Sequence, residues 1–211
     1  MTAHIEKVIT SGTFELDGGS WEVDNNVWII GDDSECIVLD AGHEAAPILE
    51  AIGERTLLAV VCTHAHNDHV NVAAEVADAK QAPIWLHPDD APLWQMTYPD
   101  QAPDGALADG QTITVAGTDL TVLHTPGHAP GACSLHAPDL GVVFSGDTLF
   151  NGGPGATGGR SFSDYDRIVD SIRGKLLVLP AETVVHTGHG PDTTIGDEAA
   201  REPQWERPEG A

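Results

Sequence analysis

Thr63-His64-Ala65-His66-Asn67-Asp68-His69 gathers three histidines and an aspartate within six residues. Imidazole nitrogens and carboxylate oxygens of this kind are borderline ligands that suit zinc or a similar transition metal. The heptapeptide follows a continuous apolar run, Leu57 to Cys62, which reads as a buried strand. It precedes a stretch with Val70, Ala73, Ala74 and Ala77 on one helical stripe. Strand residues two apart point to the same side, so His64 and His66 reach one ion together. Asp68 and His69 fall on the turn into the helix, where they face a second ion. A chance group of surface histidines is the bland alternative, and it does not account for this density.

The His-X-His-X-Asp-His pattern resembles the signature of the metallo-β-lactamase superfamily, and three later blocks resemble that family in the same order. His124-Thr125-Pro126-Gly127-His128-Ala129-Pro130-Gly131 is similar to its next block and offers His128, with His124 as a strand-end residue. Ser145-Gly146-Asp147-Thr148-Leu149-Phe150 is similar to the block whose aspartate bridges two metals. His186-Thr187-Gly188-His189-Gly190-Pro191 is similar to the last block and offers His189. The resemblance covers about Asn25 to Pro191 and fills every metal-binding position. It implies an α/β fold: an αββα sandwich of two mixed β-sheets with helices outside. It also implies a first metal on His64, His66 and His128, a second on Asp68, His69 and His189, and Asp147 between them. The cofactors expected are two divalent ions, zinc first, with iron or manganese as alternatives. Asp68 and Asp147 are then catalytic as well as ligating. A hydroxide shared by the ions, formed near neutral pH, is the expected nucleophile. Asp40, in Val38-Leu39-Asp40-Ala41-Gly42, resembles the family carboxylate that orients the ligands from behind; a turn or capping aspartate is the plainer reading.

Within the superfamily, an intact Asp147 argues against lactam hydrolysis, and a strongly acidic chain argues against the nucleases. The Gly-Asp-Thr-Leu-Phe stretch resembles the glyoxalase II-like group, which implies hydrolysis of a thioester of a small thiol. The chain departs from full-length members of that group, which carry a further helical domain that grips the thiol. Its Gly152–Arg160 loop is also longer than the usual glycine-rich loop. Arg160 is a candidate clamp for a polar group of the substrate, and a surface arginine otherwise. Three rivals stay open: a persulfide dioxygenase with one iron held by His64 or His66, His128 and Asp147; a lactonase or other ester hydrolase; and a non-catalytic binding module.

The elements that must position these residues are short apolar runs set between helical segments. Val27 to Ile30 and Cys36 to Leu39 flank a turn-rich Gly31-Asp32-Asp33-Ser34 and predict a hairpin. Glu44 to Ile52 predicts a helix stopping near Gly53, and Asp68 to Ala79 predicts another. Pro83 to Leu86, Gln111 to Val115, Asp119 to Leu123, Cys133 to His136, Val142 to Ser145 and Val184-Val185 predict further strands. Ser163 is placed to cap a helix running to about Gly174. Strand blocks with helices between them predict two packed sheets covered on the outside. Residues 91 to 103, with Leu93, Trp94, Met96 and Tyr98, either overhang the site or pack beneath a surface loop.

With 211 residues and 41% hydrophobic content, one domain with a sizeable core is expected over residues 1–211. Thirty-three acidic residues face nine basic ones, a net charge of -24. That balance disfavours nucleic acid and anionic membranes as partners; the partner that the resemblance implies is a small-molecule thioester. Oligomeric state is not legible. Residues 1–10 carry no apolar run, and Cys36, Cys62 and Cys133 read as free thiols, two of them in buried strands; a cytoplasmic location is the expectation. Beyond about residue 201 a polar, proline-bearing tail is expected to be poorly ordered.

Overall fold

A computed structural model of the chain describes residues 3–209; Met1, Thr2, Gly210 and Ala211 lie outside the described residues. The first half of the chain forms β1 (His4–Leu16), β2 (Gly19–Gly31), β3 (Glu35–Leu39), helix α1 (Ala45–Ile52) and β4 (Thr56–Val61). Helices α2 (Asn67–Val70) and α3 (Ala73–Lys80), β5 (Ile84–Leu86), α4 (Ala91–Thr97) and β6 (Gly105–Ala106) follow. The strands make one six-stranded sheet in sequence order, antiparallel from β1 to β3 and parallel from β3 to β6. The second half supplies β7 (Thr112–Val115), β8 (Thr118–His124), β9 (Cys133–Ala137), β10 (Val142–Gly146), the small pair β11 (Leu149–Phe150) and β12 (Gly153–Pro154), and α5 (Tyr165–Ser171). It ends in β13 (Val184–Thr187), β14 (Thr193–Thr194) and α6 (Ile195–Arg201). Here the sheet order is β14-β13-β10-β9-β8-β7, with β10 and β13 parallel and the other neighbours antiparallel.

Alternation along the strands sorts side chains into three layers of core. Trp28, Ile30, Ile37 and Leu39 point inward and meet Leu120, Val122, Leu135 and Phe144 between the sheets. Val27, Ile29 and Val38 point outward onto Ile48 of α1 and Val76 of α3. On the far side, Val143 and Val185 pack against Ile168 of α5, Ile172 and Ile195 of α6. The expected sandwich of two mixed sheets with outer helices is therefore what the chain forms. Cys36, Cys62 and Cys133 are buried and free. Among the described residues no helix is long and apolar enough to cross a membrane.

Four local expectations differ from the structure. Residues 4–24 form most of a long hairpin of two 13-residue strands, where no strand was expected before Val27. Its turn is Asp17-Gly18, both at positive φ (52° and 78°), the geometry that matches strand twist in a two-residue loop. The helix expected from Asp68 to Ala79 is broken into α2 and α3. Val72 donates its N–H to Ala41 O, and Asn71 spends its amide oxygen on His43 N, so the chain leaves the helical ladder there. Asp164, not Ser163, caps α5 by accepting from Arg167 N; the Ser163 hydroxyl donates to Thr157 O and Arg160 O. Residues 202–205, expected within a polar tail, carry local structure: Glu202–Gln204 is a 3-10 turn, and Trp205 packs against the outer core. Residues 91 to 103 pack behind α2, since Trp94 is buried and Tyr98 donates its hydroxyl proton to Val70 O.

Candidate metal centre

Each candidate ligand follows a strand end. Asp40 follows β3, the 64–69 segment follows β4, His128 follows β8, Asp147 follows β10 and His189 follows β13. Strands β3 and β4 are parallel, as are β10 and β13, and β8 runs with β10 because both are antiparallel to β9. Short loops leaving carboxyl ends thus converge at one rim of the sandwich, where α/β sheets place their ligands.

The structure brings all seven candidate ligands together. His64, His66 and His128 offer ligand atoms within 4.8 Å of one another, and Asp68, His69 and His189 do the same. Asp147 stands between these groups: Oδ1 lies 3.3 Å from His69 Nε2, and Oδ2 lies 3.5 Å from His128 Nε2 and 3.4 Å from His189 Nε2. Gly188 permits this approach, because a Cβ there would stand 2.2 Å from Asp147 Oδ1. Asp40, His64 and His69 form a third close group. Asp40, however, has committed its oxygens: Oδ1 accepts from Thr63 N at 2.7 Å, and Oδ2 accepts from Thr63 Oγ1 at 2.7 Å. It stands behind the ligands and faces His69 Nδ1 at 3.1 Å.

Two observations test whether these residues fit metal ions. First, His64 Nε2, Asp68 Oδ1 and Asp147 Oδ1 are buried in the cluster without a hydrogen-bond partner, as is the outward Nε2 of His66. Buried polar atoms are nearly always paired, so several orphans on the side chains of one cluster call for a cation. Second, most of the histidines spend the other ring nitrogen on a fixed partner. His128 Nδ1 is 2.9 Å from Ala156 O, His189 Nδ1 is 2.8 Å from Asp24 O, and His64 Nδ1 is 3.1 Å from Thr63 Oγ1. Such partners set the tautomer and turn a lone pair toward the ion. The donor set therefore fits a pair of divalent ions.

The two halves differ in charge. Burial, with His69 and His66 adding to it, drives His64 well below the ordinary imidazole range; burial and His128 bring His66 down to about 3. Both are neutral and have lone pairs to give. In the other half burial opposes charge and loses. Asp147 and Asp68 lift His69 well above its usual range and His189 to about 10, while His69 and His189 hold Asp68 down at about 2. Protons there do what a cation does better: they balance two adjacent buried carboxylates.

The centre opens into a cavity of about 480 Å³ on the side where the His189 side chain is 23% exposed. Phe14, Trp21, Val23 and Asp24 of the N-terminal hairpin line it, with Phe150 and Arg160. The Phe14 ring meets the His66 ring edge-on at 5.1 Å and stacks with Trp21 at 5.5 Å. Arg160 lies over both aromatic rings, at 5.3 and 5.4 Å, so it belongs to the cavity wall. Asn25 was missed from sequence; it donates to Asp68 Oδ2 at 3.2 Å and is itself met by His43 at 2.8 Å. An Asp-Gly pair within an alternating pattern was the signal for the hairpin that carries these residues.

Residues 21–189 match the family model of the metallo-beta-lactamase superfamily. Over 195 residues the chain is 32% identical to a probable metallo-hydrolase of Bacillus subtilis, YqgX, covering 84% of this chain and 90% of that one. It is 32% identical over 187 residues to the hydroxyacylglutathione hydrolase GloC of Haemophilus influenzae, covering 82% and 88%. Among solved structures, the B3 metallo-beta-lactamase BLEG-1 superposes with a TM-score of 0.78 at 29% identity, covering 92% of this chain and 99% of that one. TTHA1623 in a di-iron-bound form superposes with a TM-score of 0.74 at 32% identity, covering 91% and 99%.

Proposed function

The chain belongs to the metallo-beta-lactamase superfamily, and from that premise we propose that it hydrolyses a thioester of a small thiol with two metal ions. The carrying observation is the set of orphaned, buried ligand atoms beside an open cavity. In this reading His64, His66 and His128 would hold the first ion and Asp68, His69 and His189 the second, with Asp147 placed to serve both. When bound, the ions supply Lewis acidity and an activated water near neutral pH.

The chain's own groups do the rest. Asp40 and Thr63 steady His69 and His64 from behind, and Asn25 steadies Asp68. Asp68 and Asp147 are the catalytic carboxylates: both line the cavity, and their charge would hold the ions in place. Phe14, Trp21, Val23 and Phe150 exclude water and pack the apolar part of the substrate. Arg160 pairs with a polar or anionic group of the thiol carrier. The likeness to GloC supports a thioester, and the acidic surface supports a small molecule over nucleic acid or an anionic membrane. Zinc is the metal of first choice on this donor set; the likeness to a di-iron structure keeps iron in the test. We read the chain as one cytoplasmic domain, its three buried free thiols fitting a reducing compartment.

The test is metal analysis of protein purified without added metal, followed by assay on a thioester panel with a lactone and a lactam, oxygen uptake being recorded. About two ions per chain and thioester turnover without oxygen uptake are expected. One iron per chain with oxygen consumed on a persulfide substrate overturns the proposal in favour of the dioxygenase. Preferred turnover of the lactam aligns the chain with the solved B3 enzyme instead.

A further inference from the structure

Asp90 belongs to neither ligand cluster, yet it is wholly buried between the 64–69 segment, at the end that carries His64 and His66, and the loop that carries His128. It ends the 3-10 turn Pro88–Asp90 that follows β5. One carboxylate oxygen accepts from Ala65 N at 2.9 Å, and the other accepts from Gly131 N at 2.5 Å. Ala65 lies between His64 and His66; Gly131 lies three residues past His128. The contact leaves no slack, since a Cβ on Gly131 would stand 2.8 Å from Asp90 N and 2.9 Å from Asp90 Oδ1. The loops are also tied where Cys133 N donates to Thr63 O at 2.8 Å, but that bond does not reach the backbone between the two histidines.

A buried carboxylate is costly unless its oxygens are bonded, so its presence calls for a task. A carboxylate accepts at both oxygens, whereas an amide of the same shape accepts at one end and donates at the other. Only the former can receive two backbone N–H groups from two loops at once. We propose that Asp90 is a positioning residue for the first metal: its two oxygens fix the separation of the loops that carry His64, His66 and His128. The second cluster is tied elsewhere, through Asp40, Asn25 and Asp24 O, so Asp90 acts on one ion and not the other.

This inference rests on the two-metal reading, and the experiment separates the two. The full chain is stripped with a chelator and titrated with Co2+ against a chromophoric competitor. An Asp68→Ala background leaves the first cluster as the binding site, and a His128→Ala background leaves the second. Adding Asp90→Asn should weaken Co2+ binding about 10- to 100-fold in the first background, the scale of losing a partner behind a ligand. It should change binding less than about twofold in the second. Equal losses in both backgrounds, or none in the first, overturn the inference while the metal reading stands; a wild-type chain that binds no Co2+ overturns both. If Asp90→Asn does not fold, amide exchange on the metal-free wild type decides. The Ala65 and Gly131 amides should exchange as slowly as strand β4, and exchange at the rate of exposed loops overturns the inference.

Discussion

Asp147 touches both clusters, with nitrogens of His69, His128 and His189 all within 3.5 Å of its oxygens. Asp68 touches only one, lying 3.5 Å from His69 and 3.3 Å from His189. The two carboxylates therefore separate experimentally. Asp68→Ala should reduce bound metal from two ions to one, measured by elemental analysis, and lower hydrolysis by at least ~10²-fold, the scale of a lost electrostatic stabiliser. Near-normal turnover with one ion would sink the paired-ion mechanism. Arg160 touches the cavity and no ligand. Arg160→Ala should raise KM by roughly 10- to 100-fold for a thioester with a polar carrier, the worth of a charge-assisted hydrogen bond of about 1.5–3 kcal/mol. Metal content and the KM of a small, uncharged thioester should stay constant. Equal loss on both substrates would instead make Arg160 a prop for the Phe14–Trp21 wall on which it lies.

At the scale of elements, the N-terminal hairpin is the piece that gives the ligand rim a cavity. Asn67, the one residue between His66 and His69 with no expected ligand role, fastens it. Its amide donates to Thr13 O and accepts from Glu15 N, both at 2.8 Å, on either side of Phe14. Asn67→Ala should cost about 1–3 kcal/mol by denaturant melting, two net hydrogen bonds' worth. Amide exchange should quicken around residues 12–16, and metal stoichiometry should hold. Unchanged exchange there would mean that strand pairing alone holds the hairpin. Sequence patterning found the strands that carry ligands, because those are short and largely apolar. It missed β1 and the first half of β2, whose residues are mostly polar or half exposed. A strand that owes its place to its partner carries little signal of its own.

Over the whole molecule, charge and the C-terminal segment carry the remaining consequences. A net charge of -24 on 211 residues repels itself in the compact state. Raising NaCl from roughly 0.01 to 0.15 M shortens the screening length from about 30 to 8 Å. Tm should therefore rise at neutral pH, and the rise should shrink toward pH 4.4, the isoelectric point. A salt-independent Tm would mean that local ion pairs already absorb the repulsion. Trp205 and Pro208 lie against the glycine-rich loop. A Cβ on Gly153 would stand 3.1 Å from the Trp205 ring, and one on Gly158 would stand 2.8 Å from Pro208. Truncation after Arg201 should lower Tm and raise KM together, because it removes what lies beneath the loop carrying Arg160. An unchanged KM would separate the loop from the tail.

The sequence by itself determined the kind of centre and the kind of scaffold. Ligand chemistry is written in residue type, and spacing along one strand end already aims His64 and His66 together. Short apolar runs between helical stretches already select packed sheets with helices outside. Tertiary structure alone decided what stands between ligands that are far apart in the chain. It put Asp147 against both clusters, Asn25 behind Asp68 and Asp90 between two loops, and it laid a polar hairpin over the site. Those placements depend on backbone groups and on neighbours up to 165 residues away, as where His189 meets Asp24 O. A hydrogen bond to a backbone carbonyl leaves no mark on the identity of the residue that supplies it, so no reading of letters could have found it.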